Sequence, residues 1–246
     1  MEKVKISLVS YLNSRPFAYG LNYSNVINDI SLSLDSPALC ADKMIAKIAD
    51  VGLVPVAMLP RIENATIVSD YCIAATRKVQ SVLMVSDVPM AEIKAVILDQ
   101  ESRTSVLLAR ILARDYWKID PAWLHEADEG FEKATGNVAA VIIGDRALKE
   151  RSRFKYIYDL SEEWYNMTGL PFVFACWVAN KPLDKAFLIT FNAALKFGVT
   201  HIDELVKSEN LSVTEKDYLV NAIQYEFDAE KRKGLELYLK LIQQFN

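Results

Sequence analysis

Hydroxyl, amide and guanidinium donors are concentrated in two short segments, each of which follows an apolar run. The first is SYLNSRP at residues 10–16, after Val4–Val9, and the second is DQESRTS at residues 99–105, after Ala95–Leu98. A long stretch with helical periodicity begins at Thr104, and the N–H groups and dipole at a helix N-terminus favour an anion. A helix N-cap uses one side-chain hydroxyl, whereas this segment carries three, at Ser102, Thr104 and Ser105. DQESRTS is therefore predicted to bind an anion. SYLNSRP is either a second binding segment or a turn with a helix cap.

Two further strand-to-helix turns carry fewer such groups. LDSP at residues 34–37 places Ser36 before a proline, which suits a helix cap. IGDR at residues 143–146 combines Gly144, which lets a ligand approach the backbone, with a carboxylate. In open α/β sheets, ligands bind beyond the carboxyl ends of the strands. Both turns are therefore candidate binding positions, although a simple cap and an ordinary turn explain them equally well.

Residue types that support nucleophilic or metal chemistry are sparse elsewhere. The two histidines, His125 and His201, have no metal-ligand spacing to each other or to the three cysteines. We therefore predict no metal site, and neither histidine is assigned to catalysis. Cys40, Cys72 and Cys176 lie far apart among apolar neighbours, which is typical of buried free thiols in a reducing compartment.

The composition excludes several classes of protein. The chain has 246 residues, of which 52% are hydrophobic and 24% charged, so disordered and fibrous classes are excluded. A formal net charge of −4 argues against a nucleic-acid partner. The sequence shows neither a secretory signal nor an apolar stretch of roughly 18 residues, the length a membrane helix needs. We expect a soluble cytoplasmic protein of one large domain or two lobes, with no membrane partner; an oligomer is possible but not predicted.

Short β-rich runs alternate with helical stretches in two clusters, at about residues 1–90 and 91–178. This alternation predicts an α/β fold with largely parallel sheets, and Asp159 is predicted to cap one of its helices. Aromatic residues between 164 and 177 fit core packing or the wall of a site for a flat ring. Gly198 is expected to end a helix. The C-terminal part is predicted to form three helices without strands, Leu183–Phe197, Val213–Tyr225 and Ala229–Gln244.

Seven segments, taken in order, resemble the chorismate dehydratases of the futalosine route to menaquinone. They are SYLNSRPF (10–17), DVGLVPVAML (50–59), IVSDYCIAA (67–75), QSVLMVS (80–86), LDQESRTSVLLARIL (98–112), IIGDRAL (142–148) and EEWYNMTGLPFVFACWVA (162–179). The likeness extends from the first strand to about Ala179, and beyond that point it is general helical character.

The resemblance implies a two-lobed fold like that of the type II periplasmic binding proteins, with a cleft between the lobes. Lobe one would hold residues 1–90 and 181–246, and lobe two residues 91–180. The implied activity is that of a hydro-lyase that removes water from chorismate and gives 3-[(1-carboxyvinyl)oxy]benzoate, without cofactor or metal. A solute-binding or sensing module on the same fold, and the related 1,4-dihydroxy-6-naphthoate synthase, remain alternatives.

The same resemblance suggests roles for the segments described above. The helix start at 102–105 would bind one carboxylate, and Ser36 and Ser81 would bind a carboxylate or the hydroxyl. Asn13 would hold the departing hydroxyl or a carboxylate, which makes it a candidate catalytic residue. The expected substrate-binding residues are Ser10, Tyr11, Arg15, Ser36, Ser81, Ser102, Arg103, Thr104, Ser105, Gly144 and Phe174.

The base for this reaction is left open. The candidates are Asp145, Glu101 and the enolpyruvyl carboxylate of the substrate itself. We favour the substrate carboxylate, because nothing in the sequence marks a protein base. Loss of the hydroxyl makes an aromatic ring, so much of the driving force lies in the substrate, and the protein mainly orients and polarises it.

Overall fold

The computed structural model describes residues 3–125 and 130–245. Within these ranges the eleven strands are β1 Val4–Val9, β2 Ile30–Asp35, β3 Val51–Pro55, β4 Thr66–Ala75, β5 Val82–Ser86, β6 Ala95–Leu98, β7 Ala122–His125, β8 Val138–Ile143, β9 Tyr156–Asp159, β10 Phe172–Ala179 and β11 Gln224–Glu226. The nine α-helices of the same ranges are α1 Arg15–Asn22, α2 Pro37–Ile45, α3 Thr104–Leu112, α4 Gly144–Glu150, α5 Leu160–Thr168, α6 Lys185–Thr200, α7 Ile202–Ser208, α8 Val213–Asp217 and α9 Ala229–Ile242. The predicted α/β class is confirmed.

The chain divides into two compact units. The first extends to Ala74 and resumes over Val173–Ala229, and the second comprises Ala75–Phe172 and the chain from Glu230. The lobe boundaries expected from the sequence, at 90 and 180, stay a prediction. The contacts within each unit change earlier in the chain, after Ala74 and after Phe172. They also group the chain from Glu230 with the second unit, whereas the sequence argument kept it with lobe one.

Packing around Tyr238 explains why α9 belongs to the second unit. The Tyr238 hydroxyl donates to the Thr104 carbonyl at 2.9 Å. Its ring meets Trp164 and Phe172 edge-on, with centroids 6.2 and 5.1 Å apart. Gly234 lies so close to the Pro171 carbonyl that a Cβ there would clash with it. None of these partners is signalled by the local sequence of the helix.

The sheet of the first unit has the strand order β11-β4-β10-β3-β1-β2. Strand β1 is parallel to both β2 and β3, whereas β10 is antiparallel to β3 and β11 is antiparallel to β4. Helix α2 packs on β1 and β3. This sheet is therefore mixed rather than largely parallel.

The sheet of the second unit has the order β7-β6-β8-β5-β9. Strand β6 is parallel to β7 and β8, and β5 is antiparallel to β8 and β9. Its core includes the buried side chains of Leu83, Ile97, Phe131 and Ile142. Strands β4 and β5 follow one another in the chain but belong to different sheets.

Two predicted helix caps are confirmed. The Ser36 hydroxyl accepts the Leu39 N–H at 3.3 Å and caps α2. Asp159 caps α5, and Gly169 ends that helix with a φ of 72°, a left-handed conformation that glycine adopts without a steric penalty.

Gly198 is not a helix stop, and that prediction is wrong. It lies inside α6, which continues to Thr200. A Cβ at Gly198 would collide with the Pro16 carbonyl, and one at Gly20 would collide with the Ala194 carbonyl. The glycine is needed for the close approach of α1 and α6, a tertiary reason that a local pattern does not reveal.

The predicted helix over 213–225 is also wrong in its second half. Helix α8 ends at Asp217, a wide helical turn follows over Tyr218–Ala222, and Gln224–Glu226 forms β11. The C-terminal region therefore does contain a strand. Periodic apolar residues cannot distinguish a short helix from a turn that leads into a buried strand.

The three cysteines, Cys40, Cys72 and Cys176, are free and buried, and all lie in the first unit. Burial raises the pKa of the Cys40 thiol to about 12. None of the helices within residues 3–125 and 130–245 has the length and apolar content needed to cross a bilayer.

Candidate functional site

The first unit brings two expected residues together at the carboxyl end of its parallel strands. Val9 at the end of β1 pairs with Asp35 at the end of β2. Ser10 and Ser36 therefore follow neighbouring strand ends, and the Ser10 N–H donates to the Asp35 carbonyl at 2.9 Å. Ser10 is exposed and Ser36 half-buried, so both side chains have access to a ligand.

Phe174 lies at the same sheet edge. It precedes Ala175, which pairs with Pro55 at the end of β3, and β3 is parallel to β1. The aromatic residue further along the same strand, Trp177, is fully buried and packs edge-on against Phe17 at 5.6 Å. Core packing is therefore the role of Trp177, while Phe174 remains a candidate contact.

Residues 10–15 form a compact turn that precedes α1. The Ser14 hydroxyl bonds to the carbonyls of Val9 and Tyr11, so Ser14 fixes the turn. Asn13 and Tyr11 are half-buried. The Arg15 guanidinium pairs with Glu209 at 3.0 Å, and both side chains are 39% exposed. The positive charge expected to meet the substrate is thus already engaged with a carboxylate.

Beneath this turn lies a buried polar cluster that the sequence argument missed. The Asp35 carboxylate accepts hydrogen bonds from Ser7 at 2.6 Å, from Ser33 at 2.7 Å and from the Lys43 ammonium at 2.7 Å. Burial raises the pKa of Asp35, but the bonds from Lys43, Ser7 and Ser33 outweigh it, and the net pKa is lowered. Asp35 is therefore a stable anion that anchors the strand end before Ser36.

The second unit gathers its expected residues at one sheet edge as well. Strands β6 and β8 are parallel and β5 is antiparallel to β8, so the segment 99–105, Gly144 and Ser81 meet at that edge. The Gly144 N–H donates to the Ser81 carbonyl at 2.8 Å. Gly144 has a φ of 64°, the left-handed region, and Asp145 follows it half-buried at the start of α4.

The start of α3 offers neutral donors rather than charges. Ser102, Thr104 and Ser105 are 7%, 3% and 4% exposed, whereas Glu101 and Arg103 are exposed. The Ser102 hydroxyl accepts the Ser105 N–H at 3.0 Å and so acts as the cap. Buried hydroxyls at a helix N-terminus suit a carboxylate, and anion binding by this segment stays a prediction.

An ion pair that the sequence did not reveal supports this segment. Asp99, whose side chain is fully buried, pairs with the Arg146 guanidinium and accepts the Glu101 N–H at 2.9 Å. Burial raises the pKa of Asp99, with the Arg146 charge acting in the opposite direction. Asp99 therefore joins the loop after β6 to helix α4, which begins at Gly144.

The two histidines belong to different units. His125 is exposed at the end of β7, opposite Leu98. His201 stacks on Phe197 with centroids 3.9 Å apart, and its Nδ1 lies 2.8 Å from the Phe197 carbonyl oxygen. Among the described residues, no group of three or more His, Cys, Asp or Glu side chains is arranged to hold a metal ion.

The polar residues at strand ends could have revealed part of the buried polar contacts that the sequence argument missed. Asp35 is the last residue of β2 and Asp99 directly follows β6, so a structural role for these two carboxylates could have been predicted. Their partners could not, because Ser7 is 28 residues from Asp35 and Arg146 is 47 residues from Asp99. Only the strand register brings these pairs together.

The fold defined by these two sheets is that of the type II periplasmic-binding-protein-like class. Protein AF1704 from Archaeoglobus fulgidus superposes with a TM-score of 0.73 at 12% identity, covering 99% of this chain and 97% of that one. The aliphatic sulphonate binding protein SsuA from Escherichia coli gives a TM-score of 0.64 at 17% identity, covering 100% and 93%. At such identities the likeness concerns the fold alone.

The sequence identifies the family within that class. The profile of the family described as "Menaquinone biosynthesis" matches residues 4–244, and the chain belongs to that family. A protein named chorismate dehydratase from Campylobacter jejuni is 29% identical over 183 residues, covering 72% of this chain and 69% of its own. One from Thermus thermophilus is 26% identical over 204 residues, covering 73% and 74%.

Proposed function

We propose that this protein is a chorismate dehydratase that acts in menaquinone biosynthesis. The observation that carries the proposal is the family match over residues 4–244, together with relatives that bear this name. The reaction removes water from chorismate and yields 3-[(1-carboxyvinyl)oxy]benzoate. Chorismate is a small dianion, and each unit presents neutral hydrogen-bond donors at the carboxyl end of its parallel strands.

The donors of the second unit suit a carboxylate of the substrate. Ser102, Thr104 and Ser105 are buried at the N-terminus of α3, where the helix dipole favours an anion. The hydroxyls can donate hydrogen bonds to the carboxylate oxygens, and the helix N-terminus supplies the positive potential. Ser81, which directly precedes β5 of the same sheet, is the candidate second contact.

In the first unit, Asn13 is the proposed contact of the departing hydroxyl or of a carboxylate. Its amide can donate to an oxygen that gains negative charge as the C4–O bond breaks. The C3 proton goes to the enolpyruvyl carboxylate of the substrate, while the electrons of the C3–H bond complete the aromatic ring. The hydroxide released from C4 then takes that proton and leaves as water. Asp145 and Glu101 are the alternative proton acceptors.

A cytoplasmic location and action on a small molecule complete the proposal. The support is the biosynthetic family and three free thiols that are all buried. Fractionation of producing cells tests the location directly: activity in the cytosolic fraction is expected, and activity confined to the periplasmic fraction would contradict it.

The decisive experiment incubates the purified protein with chorismate. Loss of chorismate and appearance of a benzoate lighter by one water, followed by chromatography and mass spectrometry, are expected without added metal or cofactor. Saturable binding of chorismate without turnover would instead support the solute-binding or sensing module. The absence of both binding and turnover would overturn the proposal.

Site variants test the roles. Asn13→Asp places an anion beside an anionic ligand and should lower kcat/KM by about 100-fold or more while the fold is kept. Asn25→Asp, an exposed position of the same unit, makes the same charge change and should leave turnover near normal. Near-normal turnover in Asn13→Asp would remove Asn13 from the site.

The base is tested with Asp145→Asn and Glu101→Gln. Both variants should retain turnover within about tenfold, because the substrate carboxylate takes the proton. Collapse of kcat in either variant, with chorismate binding intact, would assign the base to that residue.

A further inference from the structure

The link between β4 and β5 contains an unusual backbone conformation directly before Ser81. Gln80 has a φ of 65° and Arg77 a φ of 74°. Residues other than glycine rarely adopt these values, which are unfavourable unless the surroundings enforce them. Other residues must therefore stabilise the backbone of Gln80 in this conformation, and with it the position of the adjacent Ser81.

The Asp159 carboxylate holds the backbone of Gln80. One oxygen, Oδ1, accepts the N–H groups of Ser161 and Glu162 at 3.1 and 3.3 Å, as a helix cap does. The other oxygen, Oδ2, accepts the Gln80 N–H at 2.7 Å, across 79 residues of sequence. Asp159 is only 6% exposed, so this bond is shielded from water.

Further contacts fix the same short segment from other sides. The Ser81 carbonyl accepts the Gly144 N–H at 2.8 Å, and the Arg151 guanidinium donates to the Gln80 side-chain oxygen at 3.1 Å. Asp159, Gln80, Ser81 and Gly144 thus form a continuous hydrogen-bonded series. It ends on two of the expected substrate-binding residues.

We propose that Asp159 is a positioning residue that holds Ser81 for substrate through the N–H of Gln80, in addition to capping α5. This inference rests on the proposed function for the role of Ser81, and it deepens that function by naming what sets the position of Ser81. Capping alone needs one carboxylate oxygen and no contact to a distant segment. The second oxygen therefore has a separate role that substitution can remove.

Asp159→Ser separates the two roles. Serine is as good an N-cap as aspartate, but its shorter side chain does not reach Gln80. The matched control is Asp184→Ser, because Asp184 caps α6 by accepting the N–H groups of Ala186 and Phe187. In turnover of chorismate, Asp159→Ser should raise KM about tenfold with a smaller change in kcat, and Asp184→Ser should change neither.

A double-mutant cycle with Ser81→Ala shows whether the effect passes through Ser81. If it does, Asp159→Ser should weaken turnover of the wild type but cause little further loss in the Ser81→Ala protein. Equal losses in both backgrounds would overturn the inference. Asp159→Asn keeps one acceptor oxygen, so its kcat/KM should lie between the values of Asp159→Ser and of wild type. This second variant keeps the inference testable if Asp159→Ser folds poorly.

Hydrogen–deuterium exchange tests the clamp without any activity measurement. In Asp159→Ser, the amide of Gln80 should exchange at least tenfold faster, while the amides of Ser161 and Glu162 stay protected by the serine cap. Equal acceleration at both places would show a cap only and overturn the inference. Wild-type protein that fails to convert chorismate overturns the proposed function instead, and the exchange pattern then still decides whether Asp159 holds Gln80.

Discussion

Each unit buries an aspartate at the end of a strand beside its candidate binding residues, but the two are held by different partners. In the first unit, Asp35 faces the Lys43 ammonium and two serine hydroxyls. In the second unit, Asp159 accepts hydrogen bonds from the backbone N–H groups of Val79, Gln80, Ser161 and Glu162. Asp35 therefore has a countercharge beside it, whereas Asp159 is held by backbone N–H groups.

The difference reverses the direction of the pKa shift. At Asp35, burial raises the pKa, but the bonds from Lys43, Ser7 and Ser33 outweigh burial and the pKa is lowered. At Asp159, burial raises the pKa to about 6 against the opposing effect of its backbone donors. At Asp35 the hydrogen bonds from Lys43 and two serines keep the carboxylate ionised, whereas the backbone donors of Asp159 position a carboxylate that is easier to protonate.

The largest expected effect comes from removing the countercharge. Lys43→Met leaves Asp35 buried and without a cation, which should lower the free energy of unfolding by about 3 kcal/mol at pH 7. Urea unfolding measures this value. The control is Lys47→Met, because the Lys47–Glu63 pair is exposed and its loss should change stability by at most about 0.5 kcal/mol. Equal effects of the two substitutions would contradict the importance of the countercharge.

Removal of one neutral donor to Asp35 should have an intermediate effect. Ser7 is fully buried and donates at 2.6 Å, so Ser7→Ala should destabilise by about 2 kcal/mol, as expected for a bond to a charged group. Ser161→Ala is the comparison in the second unit, because there the backbone N–H rather than the side chain bonds to the aspartate. The Ser161 hydroxyl makes only a long bond of 3.4 Å to the Ala75 carbonyl, so the loss should be about 1 kcal/mol or less. The urea midpoints of both variants measure the two losses of stability. A Ser7→Ala protein as stable as wild type would refute the role of the Ser7 hydroxyl.

The smallest effect is a pH dependence that sharpens the contrast. Because the folded pKa of Asp159 is raised above its ordinary value of 3.8 to about 6, the folded state holds the proton more tightly. Its contribution to stability is present at low pH and is lost as pH rises through about 6. Between pH 5 and 8, wild type should lose about 1 kcal/mol relative to Asp159→Asn.

Urea unfolding of both proteins at the two pH values gives that difference. Asp35 contributes with the opposite sign, because its folded pKa is lowered: its stabilisation is present above about pH 4 and is lost as pH falls further. A wild-type protein that gains stability relative to Asp159→Asn from pH 5 to 8 would contradict the raised pKa of Asp159.

Features set by neighbouring residues could be predicted from the sequence. Strands such as β1 and β6 follow from apolar runs that end in polar turns, and the caps at Ser36 and Asp159 follow from residue type and position. The grouping of expected site residues at one sheet edge per unit follows from the general rule for parallel strands.

Features set by distant partners could not be predicted. Gly198 permits helix α1 to approach α6, yet in the local sequence it has the signature of a helix end. The Lys43 ammonium reaches Asp35 only because α2 packs against β1 and β2. The second role of Asp159 depends on Gln80, whose left-handed backbone has no sequence signal comparable to glycine.

The burial of all three cysteines in the first unit has a practical consequence. Because Cys40, Cys72 and Cys176 are shielded from solvent while that unit is folded, a thiol-specific reagent added in excess modifies the chain only when this unit opens. The rate of labelling therefore times the opening of one half of the molecule and is blind to the other. A dye attached to a cysteine introduced on the surface of the second unit would supply the complementary signal, with no need to remove the natural thiols.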